Sequence, residues 1–119
     1  MSGGGIGLDL LEIERMERAL SRRPNLASRL FHAGELEYSR RGARPGQHLA
    51  ARFCAKEAVS KALGMAVFAP LDVEVLGGGA DVGLELHGAA AARAGELGVE
   101  VGLSMTHTRG MAAAVAILR

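Results

Sequence analysis

The stretch from Leu49 to Gly64, LAARFCAKEAVSKALG, constrains the fold of this chain more than any other part of it. It contains no proline, strong helix formers dominate it, and Gly64 stands where a left-handed residue ends a helix, so it reads as one long helix. On a 3.6-residue wheel Ala51, Cys54, Ala55, Ala58, Val59 and Ala62 share a face. Side chains this small allow a neighbouring backbone to come close, and this face is the one expected to be buried. The opposite face carries Arg52 and Lys56 on one stripe and Glu57 and Lys61 on the next. Each pair is four residues apart and therefore stacked. A solvated face with a Glu57–Lys61 pair would contribute only about 0.2–0.5 kcal/mol to the helix. Three cations around one carboxylate also suit a phosphorylated ligand, because cations and a bound Mg²⁺ both neutralise phosphate charge. The helix alone does not decide between these readings.

The rest of the chain narrows the choice. Its 119 residues fit one domain, 1–119, with a modest core, near the size at which oligomerisation commonly helps. Aromatic residues make up only 3% against 49% hydrophobic residues, so the core must be built from Ala, Val, Leu and Ile. A net charge of +1 and so few rings argue against a nucleic-acid-binding module, which wants a strongly basic face with stacking aromatics. The single cysteine, Cys54, lies on the apolar face of the helix and reads as a buried thiol. No run approaches a membrane span and no leader pattern opens the chain, so the sequence reads as cytoplasmic.

In order, Met1–Gly5 is a glycine-rich lead-in, and 5–10 is a first strand with Asp9 at its end. Asp9 can serve a ligand or cap the next helix, whose apolar positions Leu10, Ile13, Met16 and Leu20 follow helical spacing through Arg22. Arg15, Arg18 and Arg22 form a stripe on that helix, with Glu14 and Glu17 as possible partners. Asn25 caps a short second helix after Pro24, and a third covers 34–41. Arg40, Arg41 and Arg44 then lie in a solvated basic loop. Period-two alternation over 71–76 and 82–87 predicts a hairpin around a glycine loop. A helix over 89–97, closed by Gly98, and strands over 99–106 and 111–118 complete the chain. This order implies an α+β fold, a largely antiparallel sheet with helices on one side. Neither G-x-x-x-x-G-K-[ST] nor G-x-G-x-x-G spacing is present near Asp9, which excludes those phosphate loops.

Three stretches in this order resemble the holo-acyl-carrier-protein synthase family, the small 4′-phosphopantetheinyl transferases. They are Gly5-Ile6-Gly7-Leu8-Asp9 with Arg15; Phe31–Leu36 leading to Leu49–Ala58 and Lys61–Gly64; and Leu103-Ser104-Met105-Thr106-His107 with Ala112–Val115. The resemblance covers most of the chain. It implies transfer of phosphopantetheine from coenzyme A to a serine of apo acyl carrier protein, with Mg²⁺, in a homotrimer whose active sites lie between subunits. By resemblance Asp9 and Glu57 bind Mg²⁺ with the pyrophosphate, and Lys61 stabilises the departing adenosine bisphosphate side. Arg52, Lys56 and His107 are implied as further coenzyme A contacts, and the proton of the incoming serine falls to Glu57 or to a metal-bound water. Arg15 matches the family's carrier-contacting arginine, which makes Arg15, Arg18 and Arg22 the expected partner surface. Two departures stand out: Gly3 and Gly4 replace the usual apolar residues, and Gly79-Ala80-Asp81 replaces glycine-lysine-proline at the hairpin turn. An inactive paralogue acting as a carrier-protein or coenzyme A scaffold is the alternative, against which the retention of Asp9, Glu57 and Lys61 argues.

Overall fold

A computed structural model describes residues 5–119, so the expected lead-in falls, but for Gly5, outside the described residues. The elements run β1 (Ile6–Glu12), α1 (Ile13–Arg22), α2 (Leu26–Leu30), α3 (Ala33–Arg40), α4 (Pro45–Ala62), β2 (Val73–Leu76), β3 (Gly83–Leu86), α5 (Gly88–Leu97), β4 (Val101–His107) and β5 (Met111–Leu118). Every strand pairing is antiparallel, in a three-stranded sheet of order β1-β5-β4 and a separate two-stranded sheet of β2 and β3. The α+β expectation stands, with its sheet divided in two.

Helix α4 lies across one face of the three-stranded sheet, and the small-residue face explains how closely. Ala50, Cys54, Ala55, Ala58 and Ala62 are buried, as are Ala112, Ala114 and Ala116 of β5. At Gly7 the approach is closest: a Cβ there would lie 1.9 Å from the Ala58 carbonyl oxygen. Only a residue without a side chain lets β1 and α4 meet in this way. The helix ends as the sequence predicts. Gly64 adopts φ +67°, its N–H bonds the Lys61 carbonyl, and the Met65 N–H bonds the Ser60 carbonyl, the pair of bonds that closes a Schellman cap.

Three expectations need correction. First, β1 continues through Glu12, so Asp9 lies within the strand rather than at its end and is not a helix cap, and Leu10 is not helical. The β1–β5 ladder pairs Ile6 with Ile117 through Glu12 with Met111, and these backbone bonds override a helical spacing that Leu10 fits by coincidence. Second, α4 begins at Pro45, which suits a first helical position, and Arg44 is no solvated loop residue. Its guanidinium donates to both carboxylate oxygens of Glu17, at 3.0 and 2.8 Å, which ties α1 to the start of α4. Third, the Arg52 and Lys56 stripe is buried, because α1, α3 and β2 cover α4 on the sides that the sheet leaves open.

The outer face of the three-stranded sheet is apolar. Ile6, Leu8 and Leu10 on β1 are each about 60% exposed, and Val115 and Ile117 of β5 stand beside them.

Candidate active site

Alternation along β1 sends Gly7, Asp9 and Leu11 towards α4 while Leu8 and Leu10 face outward. Asp9 therefore arrives beside the helix two residues after the glycine that permits the contact. The Lys61 ammonium donates to an Asp9 carboxylate oxygen at 3.2 Å and to the Leu8 carbonyl at 2.9 Å, while remaining half exposed. Lys61 thus pairs across to the strand, not along the helix with Glu57. Asp9, Glu57 and Arg15 line one cavity of about 490 Å³ with Leu11, Met16 and Phe53. Burial first, and then the negative charge of Asp9, push the Glu57 carboxyl above its usual range, while Lys61 pulls the other way. Two carboxylates, one of them reluctant to ionise beside the other, form an oxygen-only donor set that suits a hard divalent cation. The residues present fit Mg²⁺ on this ground.

Cys54 lies under the same site, its thiol directed at the Ala112 carbonyl oxygen at 3.5 Å. Burial and the nearby Asp9 push its pKa up to about 12, so it is an inert thiol, in agreement with the sequence reading.

Arg52 and His107 line a different cavity, of about 370 Å³, with Tyr38, His48, Gly78 and Gly79. Arg52 is 2% exposed; its guanidinium lies 4.2 Å over the Tyr38 ring and donates to the Gly77 carbonyl. Its buried Nε has no hydrogen-bond partner among the described residues. Burial lowers the Arg52 pKa, with Glu35 and Tyr38 opposing. His48 is also held down, by burial, then by Arg52 and His107, and its ring meets His107 edge-on at 6.4 Å. A cavity lined by the Arg52 guanidinium, His48 and His107 suits a phosphate or another anion. Tyr38, His48 and Gly78 were not singled out by sequence reasoning. A Cβ on Gly78 would fall 2.1 Å from the Tyr38 hydroxyl, so the glycine loop packs directly on this ring.

Lys56 reaches neither cavity. It is wholly buried, pairs with Glu35 at 2.8 Å, and also donates to the Pro70 and Val73 carbonyls. All three of its protons are taken, which leaves none for a coenzyme A contact. The arginine stripe is exposed along α1; Arg18 approaches Glu14 at 4.0 Å, whereas Glu17 is engaged by Arg44.

The whole arrangement has relatives. Residues 5–111 match the family model described as 4′-phosphopantetheinyl transferase superfamily. The chain belongs to that superfamily. It is 44% identical over 118 residues to a holo-[acyl-carrier-protein] synthase of Moorella thermoacetica, covering 94% of this chain and 91% of the relative. With the synthase of Streptomyces coelicolor the identity is 45%, over 98% of each chain. Among solved structures, a Chronobacterium ammoniagenes ACPS–CoA complex superimposes with a TM-score of 0.82 at 32% identity, covering 96% of this chain and 95% of the other. Membership of the superfamily and the α+β fold therefore rest on sequence and on architecture independently.

Proposed function

We propose that this chain is a holo-[acyl-carrier-protein] synthase, which transfers 4′-phosphopantetheine from coenzyme A to a serine of apo acyl carrier protein. The observation that carries the proposal is the meeting of Asp9, Glu57 and Arg15 around one open cavity, with Lys61 paired to Asp9, in a chain 44% identical to such a synthase.

In the reaction the serine hydroxyl oxygen attacks the phosphorus that bears the pantetheine arm. The bond from that phosphorus to the bridging pyrophosphate oxygen breaks, and adenosine 3′,5′-bisphosphate leaves. Asp9 and Glu57 would hold a Mg²⁺, which would neutralise charge at the pyrophosphate. Lys61, anchored to β1 by the Leu8 carbonyl, adds a half-exposed positive charge next to Asp9. The serine proton goes to Glu57 or to a metal-bound water. Arg52, with His48 and His107 beside it, offers the remaining phosphate of coenzyme A a second cavity that carries the guanidinium charge.

The family resemblance supports a homotrimer with active sites between subunits, which would let one subunit's Arg52 cavity serve another's Asp9–Glu57 cavity. The apolar outer face of the sheet gives subunits a surface to bury. Residues 1–119 act as a single transferase domain. Among the described residues no helix is long and apolar enough to cross a membrane, which is compatible with work in the cytoplasm on soluble carriers.

The test is to incubate the protein with coenzyme A, Mg²⁺ and a panel of apo carrier proteins and to weigh the products, with the enzyme's own mass measured by light scattering. A carrier heavier by one phosphopantetheine, made by a trimer and lost on chelation, is expected. Coenzyme A binding with every carrier left unmodified would indicate the scaffold alternative instead.

A further inference from the structure

Away from both cavities, three potential metal ligands from three separate elements lie together: His32, Glu74 and His87, with their ligand atoms all within 4.8 Å of one another. His32 stands at the N-cap position of α3, Glu74 is in β2, and His87 follows β3. One carboxylate oxygen of Glu74 lies 3.0 Å from His87 Nε2 and 3.8 Å from His32 Nδ1. A tetrahedral ion with bonds of about 2.0–2.1 Å holds its ligands about 3.3 Å apart, a separation that these two gaps bracket.

The second observation is the far side of the His32 ring. Its Nε2 lies 2.8 Å from the Leu71 carbonyl oxygen. A carbonyl only accepts, so Nε2 donates to it, and Nδ1 is the ring nitrogen on the Glu74 side. The same Glu74 oxygen is within hydrogen-bond distance of His87 Nε2, so an ion held by all three residues would take the place of that contact. A histidine whose remote N–H is held by a backbone carbonyl is also the usual outer arrangement of a metal-bound imidazole.

The geometry points to a binding site for one zinc-class transition-metal ion per chain at His32, Glu74 and His87. Two imidazole nitrogens and one carboxylate oxygen select such an ion over Mg²⁺, in contrast with the all-oxygen pair at Asp9 and Glu57. Three protein ligands leave a fourth position for water. The bonds would join the start of α3, which also supplies Glu35 to Lys56, to the β2–β3 hairpin, whose turn brings Gly78 and Gly79 to the Arg52 cavity.

The full chain, stripped of metal with a chelator and kept in excess Mg²⁺ to saturate oxygen-only sites, is titrated with Zn²⁺ by calorimetry and followed by thermal melting. One equivalent per chain and a raised melting temperature are expected, because an ion that binds only the folded state stabilises it. Glu74→Gln and His87→Gln should each weaken uptake at least about ten-fold. X-ray absorption on the wild type should find two imidazole nitrogens and one carboxylate oxygen at about 2.0–2.2 Å, a readout that holds whether or not a variant folds. No uptake at micromolar Zn²⁺, uptake unchanged in both variants, or an ion without imidazole ligands would each overturn the assignment.

Discussion

Lys56 and Lys61 leave the same helix little more than a turn apart, and their surroundings have nothing in common. Lys56 is enclosed, its ammonium held by a carboxylate and two carbonyl oxygens, and burial lowers its pKa. Lys61 is half exposed and bonded to β1 beside an open cavity. In the first case the charge is consumed by the fold, since Glu35 also accepts from the backbone N–H groups of His32 and Val75 and so joins α3, α4 and β2. In the second the charge stays near a place where a ligand can meet it. Charge count along a helix says nothing about this difference; what covers each side of the helix decides it.

The largest effect should come from breaking the enclosed member of the pair. Lys56→Met leaves the buried Glu35 charge uncompensated and should destabilise the protein by about 3–5 kcal/mol, read by urea unfolding. Adding Glu35→Gln should restore part of the loss. If the single variant costs under about 1 kcal/mol, the pair is not the joint described here.

Next come the carboxylates of the open site. Asp9→Ala and Glu57→Ala should each reduce transfer by about a hundred-fold or more at saturating Mg²⁺ while circular dichroism stays unchanged, as expected when a transition-state charge loses its partner. Glu57 also gives a pH signature. Its pKa in the folded state lies above the unfolded value, so the native state holds the proton longer, and without metal stability falls as pH rises through that window. Glu57→Gln should therefore flatten this decline and leave the metal-free protein more stable at neutral pH, although inactive. Activity of the wild type should fall on the acid side as the carboxyl is protonated. A variant as active as wild type, or a stability profile unchanged by Glu57→Gln, would remove Glu57 from the site.

Much of this was legible in residue order. The long helix, its glycine stop and the two hairpins follow from periodicity and turn residues, and three stretches in order, around Asp9, Glu57 and His107, carry the family resemblance. What was not legible depends on partners distant in sequence. Lys56 reads as a free cation because Arg52 shares its stripe on the helix, and its true partner is Glu35 on another helix. Arg44 looked like loop charge because Glu17 lies 27 residues away. Tyr38 and His48 join Arg52 only once the glycine turn of β2 and β3 folds over them. The extent of β1 was missed because its partner, β5, is at the other end of the chain.

Lys61 sharpens the comparison from the other side. Lys61→Met should lower turnover by about ten-fold or more with a smaller change in coenzyme A affinity, since only interactions that strengthen in the transition state accelerate chemistry. Stability should move far less than in Lys56→Met, because the Lys61–Asp9 pair is partly open to water. Equal losses in affinity and in kcat/KM would make Lys61 a ground-state anchor.

The smallest effect is expected where the charges are most exposed. Arg15, Arg18 and Arg22 project from α1, which follows β1 directly, and Arg15 alone of the three lines the Asp9–Glu57 cavity. Arg18 is shared with Glu14, but Glu17, a possible partner by spacing, is occupied by Arg44, so the stripe is not neutralised along its own helix. A carrier protein that is acidic around its modified serine would be drawn to such a surface, and exposed charges of this kind act mainly on encounter rate. Arg15→Glu with Arg22→Glu should raise the KM for carrier protein several-fold, on the order of the effect of rim charges elsewhere, and leave coenzyme A affinity unchanged. Salt should produce part of the same defect in the wild type, because the Debye length falls from about 10 Å at 0.1 M to about 3 Å at 1 M. The double reversal should also flatten that salt dependence. Carrier kinetics that ignore both the substitutions and the salt would mean that α1 carries only solvated charge, and that the contrast between enclosed and open cations ends at the edge of the cavity.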